Sequence, residues 1–460
     1  MSGVQILKTR DDRIPFQFTT TDNEYQFKIV GEKGSGWLDG ESEFSFDKLR
    51  PRIEPWLTSL FQSEHFALLA GSGLSHAIHD MATGKPLPGM ATVSFSVFND
   101  EINAKAKESA QKYGRSEGNI EDQIRIAIEL LDGLNILGAR DGKYADSANK
   151  LESELKNIMR NFADSILLGE QGIINAKEEK RQEAFNYLVS FLMSFASRTG
   201  TRDRLQIFTT NYDRFIEAGA DAAGLSLIDR FIGSLNPLFR SSRLDIDIHY
   251  NPPGIRGEPR YLEGVAKFTK LHGSLDWLNS WGQIRKMGIP FGAKEVHPYL
   301  DVPGTNGEEA LGLMIYPNDA KDRETSLFPY IELFRDFAAS ICRPNNVLIT
   351  YGYSFGDEHI NRIIEDMLII PSTHLVIISH GDPLKRILNT YERLGRHSQI
   401  TLLIGNILGD LTTLVDHFLP KPAIDRTTFK MAELLKARYG SSESPVKPEE
   451  QKSSNGDNNE

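Results

Sequence analysis

The segment Leu205-Gln-Ile-Phe-Thr-Thr-Asn-Tyr-Asp213 decides how this chain is interpreted. A short apolar run, 205–208, ends abruptly in polar side chains that include Asn211 and Asp213. In an open parallel sheet, ligands bind just beyond the carboxyl ends of the strands. We therefore expect these polar side chains to face a ligand. Taken alone, the pattern also fits an ordinary helix N-cap, in which a side chain binds free backbone N–H groups.

Similar apolar segments recur along the chain. They lie at 66–70, 265–271, 313–316, 346–350, 375–378 and 401–404. Helical patterns follow most of them, for example at 326–341 and 357–368. Near-continuous apolar strands that alternate with helices are typical of a parallel sheet covered on both faces. The sequence therefore predicts an α/β protein with a Rossmann-like parallel sheet and helices on both of its faces.

Other segments depart from this alternation. Residues 1–45 are polar with one alternating stretch, so we expect a small N-terminal appendage with β character, outside the main sheet. Residues 100–200 carry apolar side chains at helical spacing, which predicts an inserted helical subdomain. We expect a C-terminal helix at 421–440 and a polar, disordered tail at 441–460. The Rossmann-like domain is then expected in two segments, 46–99 and 201–420.

Composition narrows the classes of function. The 460 residues are 40% hydrophobic and 25% charged, which is ordinary for a soluble globular protein. The net charge of -11 argues against a dedicated nucleic-acid binder, so no direct sequence-specific nucleic-acid binding is expected. A single cysteine, Cys342, leaves no internal disulfide and no cysteine-rich zinc site. No apolar run reaches the roughly 18 residues of a membrane helix, and no secretory signal is visible. We expect a cytoplasmic protein without a membrane partner.

A glycine-bearing loop, Ala70-Gly71-Ser72-Gly73-Leu74-Ser75, follows the first predicted buried strand. Two glycines spaced by one residue let a backbone approach a pyrophosphate, and the next helix would offer N–H donors and a partial positive charge. The third glycine of the usual dinucleotide motif is absent, because His76 stands in its place. A tight strand-to-helix turn explains the same pattern without a ligand.

Two more strand ends carry unusual residues. The first, Leu271-His272-Gly-Ser274, would hold a histidine that can act as a general base near neutral pH, although a structural histidine fits as well. The second, Gly352-Tyr-Ser354-Phe355, would bring a second backbone segment close to a nucleotide, with Asp357 as a helix cap. A capped loop without function would have much the same sequence. Four such strand ends in one parallel sheet favour a dinucleotide bound across its edge.

Together the four motifs resemble those of the sirtuin superfamily. The similarity covers roughly residues 60–420, and the segments that carry it are Gly71-Ser-Gly-Leu-Ser75, Thr210-Asn211-Tyr-Asp213, Leu271-His272-Gly-Ser274 and Gly352-Tyr-Ser354. They look like the G-A-G-I-S phosphate loop, the T-Q-N-I-D motif, the H-G segment with the catalytic histidine and the later G-x-S loop. The resemblance implies a fold that binds NAD.

The departures from that family bear on the activity. The four zinc-binding cysteines of sirtuin deacylases are missing, and Thr210 replaces the glutamine of T-Q-N-I-D. The segment Lys85-Pro-Leu-Pro-Gly89 stands where G-I-P-D-F-R would follow the first loop. These changes weaken a peptide-deacylase interpretation, because the zinc module helps to shape the acyl-lysine cleft.

The T-N-Y-D, L-H-G-S and G-Y-S-F-G-D motifs are similar to those of sirtuin-like effectors of bacterial antiviral defence, which hydrolyse NAD. Within that group, the chain looks most like the type paired with a HerA-like hexameric ATPase. The resemblance implies an NAD glycohydrolase that depletes cellular NAD, works without a metal and forms a homo-oligomer.

The resemblance also implies roles for particular residues. Asn211 would bind the nicotinamide ribose and orient water, and His272 would accept a proton. The expected NAD-binding residues are Ala70, Gly71, Ser72, Gly73, Ser75, Thr209, Asp213, Gly352, Ser354 and Phe355. The adenosine half is further expected against Ser379, His380, Gly381, Gly405 and Asn406.

Two other classes of function stay open at this point. A zinc-free deacylase or ADP-ribosyltransferase would consume NAD only with an acyl-peptide or protein acceptor. A non-catalytic NAD-sensing or ADP-ribose-sensing assembly module would bind the nucleotide and leave it intact.

Overall fold

The protein is described from a computed structural model. The structure describes residues 3–421, except 10–11, 24, 32–35, 39, 89–90, 113–116, 198–202, 243, 245, 251–259, 281, 301–312 and 316–327. The predicted C-terminal helix beyond residue 421, and the whole predicted tail at 441–460, lie outside the described residues.

The strands in the described ranges are numbered in chain order. They are β1 (Gln5–Lys8), β2 (Phe16–Thr20), β3 (Gln26–Ile29), β4 (Glu43–Ser45), β5 (His65–Ala70), β6 (Leu205–Thr209), β7 (Ser226–Ile228), β8 (Phe231–Ile232), β9 (Leu238–Phe239), β10 (His249–Tyr250), β11 (Arg260–Tyr261), β12 (Val265–Lys270), β13 (Gly273–Ser280), β14 (Gln283–Lys286), β15 (Leu313–Ile315), β16 (Asn346–Tyr351), β17 (His374–Ser379) and β18 (Ile400–Ile404).

The helices are numbered in the same way. They are α1 (Arg50–Phe61), α2 (Ser72–Thr83), α3 (Asn99–Lys112), α4 (Ile120–Gly138), α5 (Gly142–Ile174), α6 (Glu178–Ala196), α7 (Phe215–Ala223), α8 (Tyr330–Ile341), α9 (Glu358–Ile369), α10 (Arg386–Leu394) and the single turn α11 (Leu411–Thr413), which continues into a π-helical turn at Leu414–Phe418.

The main sheet has the strand order β4-β3-β2-β1-β18-β17-β16-β5-β6-β12-β7. From β18 to β7 every neighbouring pair is parallel. Without the short β7, the parallel strands follow the order 3-2-1-4-5-6 of a doubly wound dinucleotide-binding sheet. The predicted α/β class with a Rossmann-like sheet is therefore confirmed. The order reverses between β5 and β16, which places the topological switch point there.

Helices cover both faces of the parallel sheet. Alternate residues of one strand enter different cores. Leu68 belongs to the core that contains residues of α1, α2, α6 and α7, whereas Leu69 belongs to the core that contains residues of α8, α9 and α10. All six residues of β16 are buried, because both faces of this central strand are covered. This burial explains why the sequences of the strands are continuous apolar runs.

The N-terminal strands belong to the main sheet. β1 pairs antiparallel with β18, with Ile6 opposite Ile404, and β2, β3 and β4 follow as an antiparallel meander. Their inward rings, Phe18, Phe27 and Phe44, pack within 5.1–5.3 Å of one another and join the core under α1. The expectation that this segment stands outside the main sheet is therefore wrong. The polar residues of this segment dominate its composition, so the sequence did not show that its other face is apolar.

The helices between 99 and 196 belong to two different cores. Leu188, Phe191 and Phe195 of α6 pack with Phe66 of β5. The apolar sides of α3, α4 and α5 enclose a separate core that also contains Tyr212. The helical segment thus reaches the loop after β6.

A smaller antiparallel sheet, in the order β15-β13-β14-β9-β8, follows β12. The predicted strand at 313–316 was expected in the parallel sheet, but β15 instead pairs antiparallel with β13. The reason is positional: β13 begins directly after His272 and offers β15 a free edge outside the main sheet.

Candidate active site

The loops after β5 and β16 contact each other at the switch point. The Gly71 amide donates to the Tyr351 carbonyl (2.9 Å), and the Gly73 amide donates to the Gly352 carbonyl (3.0 Å). A Cβ on Gly73 would lie 2.6 Å from the Gly352 Cα, and Gly352 has a φ of 62°, which favours glycine. The close approach of two backbones therefore requires these glycines, whether or not a ligand is bound.

A cleft with two lobes lies at this junction. The first lobe, about 410 Å³, lies beside the ends of β5, β6 and β12, and the second, about 940 Å³, beside the ends of β16, β17 and β18. Ser72, His76, Tyr353 and Ser354 line both lobes, so the two are adjacent. Each volume lies in the range of small-molecule sites, about 300–1,000 Å³.

Asn211 is held rigidly at the wall of the first lobe. Its Nδ2 donates to the Gly71 carbonyl (3.0 Å) and to the Ser75 Oγ (2.9 Å). The Ser75 hydroxyl in turn donates to the Asp213 Oδ2 (2.7 Å). Both amide hydrogens are then used, so the Asn211 Oδ1 is the atom that can accept a hydrogen bond from a ligand.

His272 and Asp357 form a pair in the same lobe. The His272 Nε2 lies 2.6 Å from the Asp357 Oδ2, while the other Asp357 oxygen accepts from the His359 amide (3.2 Å) as the N-cap of α9. A carboxylate on one imidazole nitrogen fixes the tautomer and stabilises the protonated ring, as in the Ser-His-Asp triad. The carboxylate thereby makes the His272 imidazole a better proton acceptor. Sequence reasoning identified Asp357 only as a cap.

Lys270 joins the loops that carry Asn211 and His272. Its buried ammonium donates to the backbone carbonyls of Tyr212 (3.3 Å) and Asp213, and it forms an ion pair with Glu217 (3.0 Å). Burial raises the pKa of the Glu217 carboxyl, and the charge of Lys270 opposes that shift. The Leu275 amide also donates to the Tyr212 carbonyl (3.1 Å). These bonds fix the two loops relative to each other.

A family model described as a SIR2-like domain matches residues 205–396. The match supports a sirtuin-like fold. Proteins of this family bind NAD and are NAD-dependent enzymes. The matched segment contains Asn211, His272 and Gly352, whereas the loop with Gly71 lies before it. No curated protein matches the chain.

The helices that precede the segment matched by the SIR2-like model complete the first lobe. Asn119 and Glu121 at the start of α4, together with Phe162 and Ile166 of α5, line it. The Tyr212 hydroxyl donates to the Glu121 Oε1 (3.3 Å). Burial, reinforced by the charge of Glu121, raises the pKa of Tyr212, so its hydroxyl keeps the proton that it donates. Sequence reasoning did not connect this helical segment with the site.

Most of the predicted site residues reach the cleft. Those in the first lobe are Gly71, Ser72, Asn211, Asp213, His272 and Ser354. Those in the second lobe are Ser72, Gly73, Gly352, Ser354, Ser379, His380 and Gly381.

The remaining predicted residues support the cleft from behind or lie elsewhere. The Thr209 Oγ1 donates to the Ala70 carbonyl (2.8 Å) and accepts from the Asn211 amide (3.1 Å), so it joins the ends of β5 and β6. Ser75 holds Asn211, and the buried Phe355 ring packs on Tyr353 at 4.9 Å.

Gly405 and Asn406 contact Gln5 of β1 and do not line either lobe. Gly409, Asp410 and Thr412, a few residues further on, line the second lobe instead.

Arg386 adds a cation that sequence reasoning missed. Its guanidinium lines the first lobe, and a Cβ on Gly356 would lie 2.9 Å from its Nη1. In the sequence, Arg386 is only a basic residue at the start of a helical pattern, and such residues are common.

Among the residues that the structure describes, no cluster of three or more His, Cys, Asp or Glu side chains is arranged to hold a metal ion. The helices in the described ranges are also too short or too polar to cross a bilayer.

Proposed function

We propose that the protein is an NAD glycohydrolase, which cleaves NAD to nicotinamide and ADP-ribose with water as the acceptor. The observation that carries the proposal is that Asn211 and the His272–Asp357 pair face one lobe of the cleft at the switch point. The adjoining second lobe is large enough for a nucleotide. Dinucleotides bind across the switch point of such sheets.

In the proposed complex, NAD lies across both lobes with its nicotinamide riboside in the first. The pyrophosphate lies over Ser72 and Gly73, where the N-terminus of α2 offers N–H groups and a partial positive charge. The Asn211 Oδ1 accepts a hydrogen bond from a ribose hydroxyl. Ser379 and Gly381 contact the adenosine half.

Cleavage needs positioning and electrostatic support, because the bond breaks through an oxocarbenium-like state. The C1′–N bond breaks, and its electron pair neutralises the pyridinium nitrogen of the departing nicotinamide. A water oxygen bonds to C1′, and its proton passes to the imidazole of His272. The Asp357 carboxylate stabilises the imidazolium that results.

The helical wall favours water over a macromolecular acceptor. Asn119, Glu121, Phe162 and Ile166 form a helical wall of the first lobe, in addition to the strand ends. A deacylase or ADP-ribosyltransferase must bring an acyl-lysine or another acceptor side chain to C1′ past this wall. A nucleotide-sensing module without catalysis has no need of the His272–Asp357 pair.

Purified protein incubated with NAD alone tests the proposal. At high enzyme concentration we expect nicotinamide and ADP-ribose in equal amounts, measured by chromatography. His272→Ala and Asn211→Ala should each reduce the rate by about 10²-fold or more, the lower end of what general acid–base groups contribute. His65→Ala is a matched control, because His65 pairs with Asp203 (2.7 Å) at the opposite edge of the sheet.

The possible outcomes separate the three functions. Turnover only after an acyl-peptide or protein acceptor is added would indicate a transferase. Binding of NAD without any product would indicate a sensing module. Wild-type rates in both His272→Ala and Asn211→Ala would refute the assigned site.

The biological role is part of the same proposal. The motif similarity supports an antiviral defence effector that depletes cytoplasmic NAD, acting as a homo-oligomer with a HerA-like hexameric ATPase. Native mass measurements of the chain, alone and with a co-encoded ATPase, test the assembly. Loss of phage resistance in cells that carry His272→Ala would support the role, and unchanged resistance would contradict it.

A further inference from the structure

Gln5 connects the N-terminal strand to the end of β18. The residue is fully buried in β1, and its side chain extends to the segment that follows Ile404. Its Oε1 accepts from the amides of Ile407 (3.1 Å) and Leu408 (3.2 Å). Its Nε2 donates to the Asn406 Oδ1 and to the Gly3 carbonyl (3.2 Å). Gln5, about 400 positions away in the chain, thus supplies hydrogen bonds to the turn that contains Ile407 and Leu408.

The absence of a side chain at Gly405 makes room for the Gln5 carboxamide. A Cβ at residue 405 would overlap the Gln5 carboxamide, and the φ of Gly405 is 137°. The glycine that sequence reasoning assigned to adenosine is therefore explained by Gln5. The pair forms one packed unit at the edge of the second lobe.

The turn that Gln5 holds continues directly into the wall of the second lobe. The Gly409 amide donates to the Gly405 carbonyl (2.8 Å), and the Gly405 amide donates to the Ser379 carbonyl (2.9 Å). The Gly409 carbonyl accepts from the Tyr351 hydroxyl (3.2 Å). Gly409 and the following Asp410 line the lobe. A shift of the turn would therefore move the lobe wall relative to Ser379.

From these contacts we infer that Gln5 is a positioning residue for the adenosine half of NAD. The inference rests on the proposed function, because it takes the second lobe as the adenosine site. Gln5 does not touch the lobe itself; it acts through the Ile407 and Leu408 amides. Without an acceptor, the buried amide of Leu408 and the part-buried amide of Ile407 lose their partner, and the turn relaxes toward other bonds. The N-terminal strands are thereby part of the nucleotide site.

Gln5→Leu tests the inference, because leucine keeps much of the volume and removes both polar groups. We expect the Kd for ADP-ribose, measured by calorimetry, to rise about tenfold, which corresponds to about 1.4 kcal/mol. The KM for NAD should rise in parallel, while kcat changes by less than about twofold, since Asn211 and His272 are not moved.

Two comparisons separate positioning from a general loss of structure. Gln5→Glu keeps an acceptor for both amides but loses the donor to Asn406 and Gly3, so it should restore only part of the affinity that Gln5→Leu loses. Gln17→Ala removes an exposed side chain from β2 of the same antiparallel segment and should leave the Kd unchanged. A purely structural role would lower the melting temperature of Gln5→Leu and leave Kd and KM at wild-type values, which would overturn the inference.

A milder variant covers the case in which Gln5→Leu does not fold. Asn406 is exposed and contacts the Gln5 Nε2, so Asn406→Ala should fold and raise the Kd for ADP-ribose about two- to threefold. An unchanged Kd in this variant would then count against the inference. If the wild-type protein binds neither NAD nor ADP-ribose, the proposed function fails and this inference fails with it. Normal wild-type binding with an unaffected Gln5→Leu refutes the role of Gln5 alone.

Discussion

At the scale of single residues, the Asp357 carboxylate makes contacts with different roles. One oxygen caps α9 through the His359 amide, and the other contacts the imidazole of His272. The first contact is local, and its position after a glycine loop is visible in the sequence. The second contact joins residues 85 positions apart. The same side chain therefore supports both the fold and the proposed chemistry.

Asp357→Asn separates these two roles. An asparagine still caps α9 but no longer stabilises an imidazolium, and it permits the wrong tautomer of His272. We expect kcat for NAD cleavage to fall about 10²-fold, with little change in the Kd for ADP-ribose or in the melting temperature. Steady-state kinetics and calorimetry measure both. Asp366→Asn, an exposed change on the same helix, is the control; equal kcat values for the two variants would contradict the pairing.

His374 should make the stability of the protein sensitive to acid. Its Nε2 lies 2.8 Å from the Thr401 Oγ1, and burial, with a smaller effect of Lys8, lowers its pKa from 6.5 to about 4. The unfolded chain binds this proton more tightly, so the contribution is fully present above about pH 6.5 and is lost as the pH falls toward 4.

His374→Gln should therefore lose less stability than the wild type between pH 7 and pH 4. We expect a difference of about 1–3 kcal/mol in the free energy of unfolding, measured by urea denaturation at each pH. His249→Gln, an exposed change of the same kind, is the control. An identical pH dependence for His374→Gln and the wild type would rule out this origin.

At the scale of elements, the start of α4 has both a structural and a site role. Asn119 forms a capping box with Asp122: its side chain accepts from the Asp122 amide (3.0 Å), and its amide donates to the Asp122 carboxylate (3.0 Å). Asn119 also lines the first lobe. The cap therefore fixes where the helical wall meets the cleft.

Asn119→Ala removes the side-chain cap. We expect a loss of about 1 kcal/mol in the free energy of unfolding, because alanine leaves the first-turn N–H groups without an acceptor. Thermal or urea denaturation measures it, and Asn119→Ser, which keeps an acceptor, should lie close to the wild type. Equal stability of the alanine and serine variants would show that the cap contributes nothing.

At the scale of the whole molecule, one buried ion pair connects three parts of the fold. Glu170 of α5 is fully buried and accepts from the Arg214 side chain (2.6 and 3.0 Å) and from the Gly292 amide (3.0 Å). Arg214 follows the loop with Asn211 and also donates to the carbonyls of Ile289 and Pro290. The pair joins the helical wall, the loop after β6 and the segment after β14.

Glu170→Ala should be strongly destabilising. It leaves the Arg214 guanidinium buried without its carboxylate, which typically costs about 3–5 kcal/mol in the free energy of unfolding. Replacement of both partners, as in Glu170→Met with Arg214→Met, should cost less than the single change, since no buried charge is left. Urea denaturation compares the two variants with Glu178→Ala, an exposed change on α6. A single variant as stable as the Glu178 control would disprove the connection.

The sequence by itself determined the main strands of the parallel sheet, most of the helices after them and the motifs at the strand ends. Apolar runs such as 346–350 and the glycine spacing at Gly71 and Gly73 are local signals, and local geometry is enough to interpret them. Asn211 and His272 were found in this way, because each follows a strand directly.

Only the tertiary structure decided which distant residues complete the site. The partner of His272, the contact of Gln5 with Ile407 and the helical wall at Glu121 depend on which strands are neighbours and on where loops turn. The alternation in β3 likewise indicated an apolar face, but it did not show that β1 pairs with β18. The physical reason is that hydrogen bonds and ion pairs between distant segments form only after the sheet has set its order, and no local pattern encodes that order.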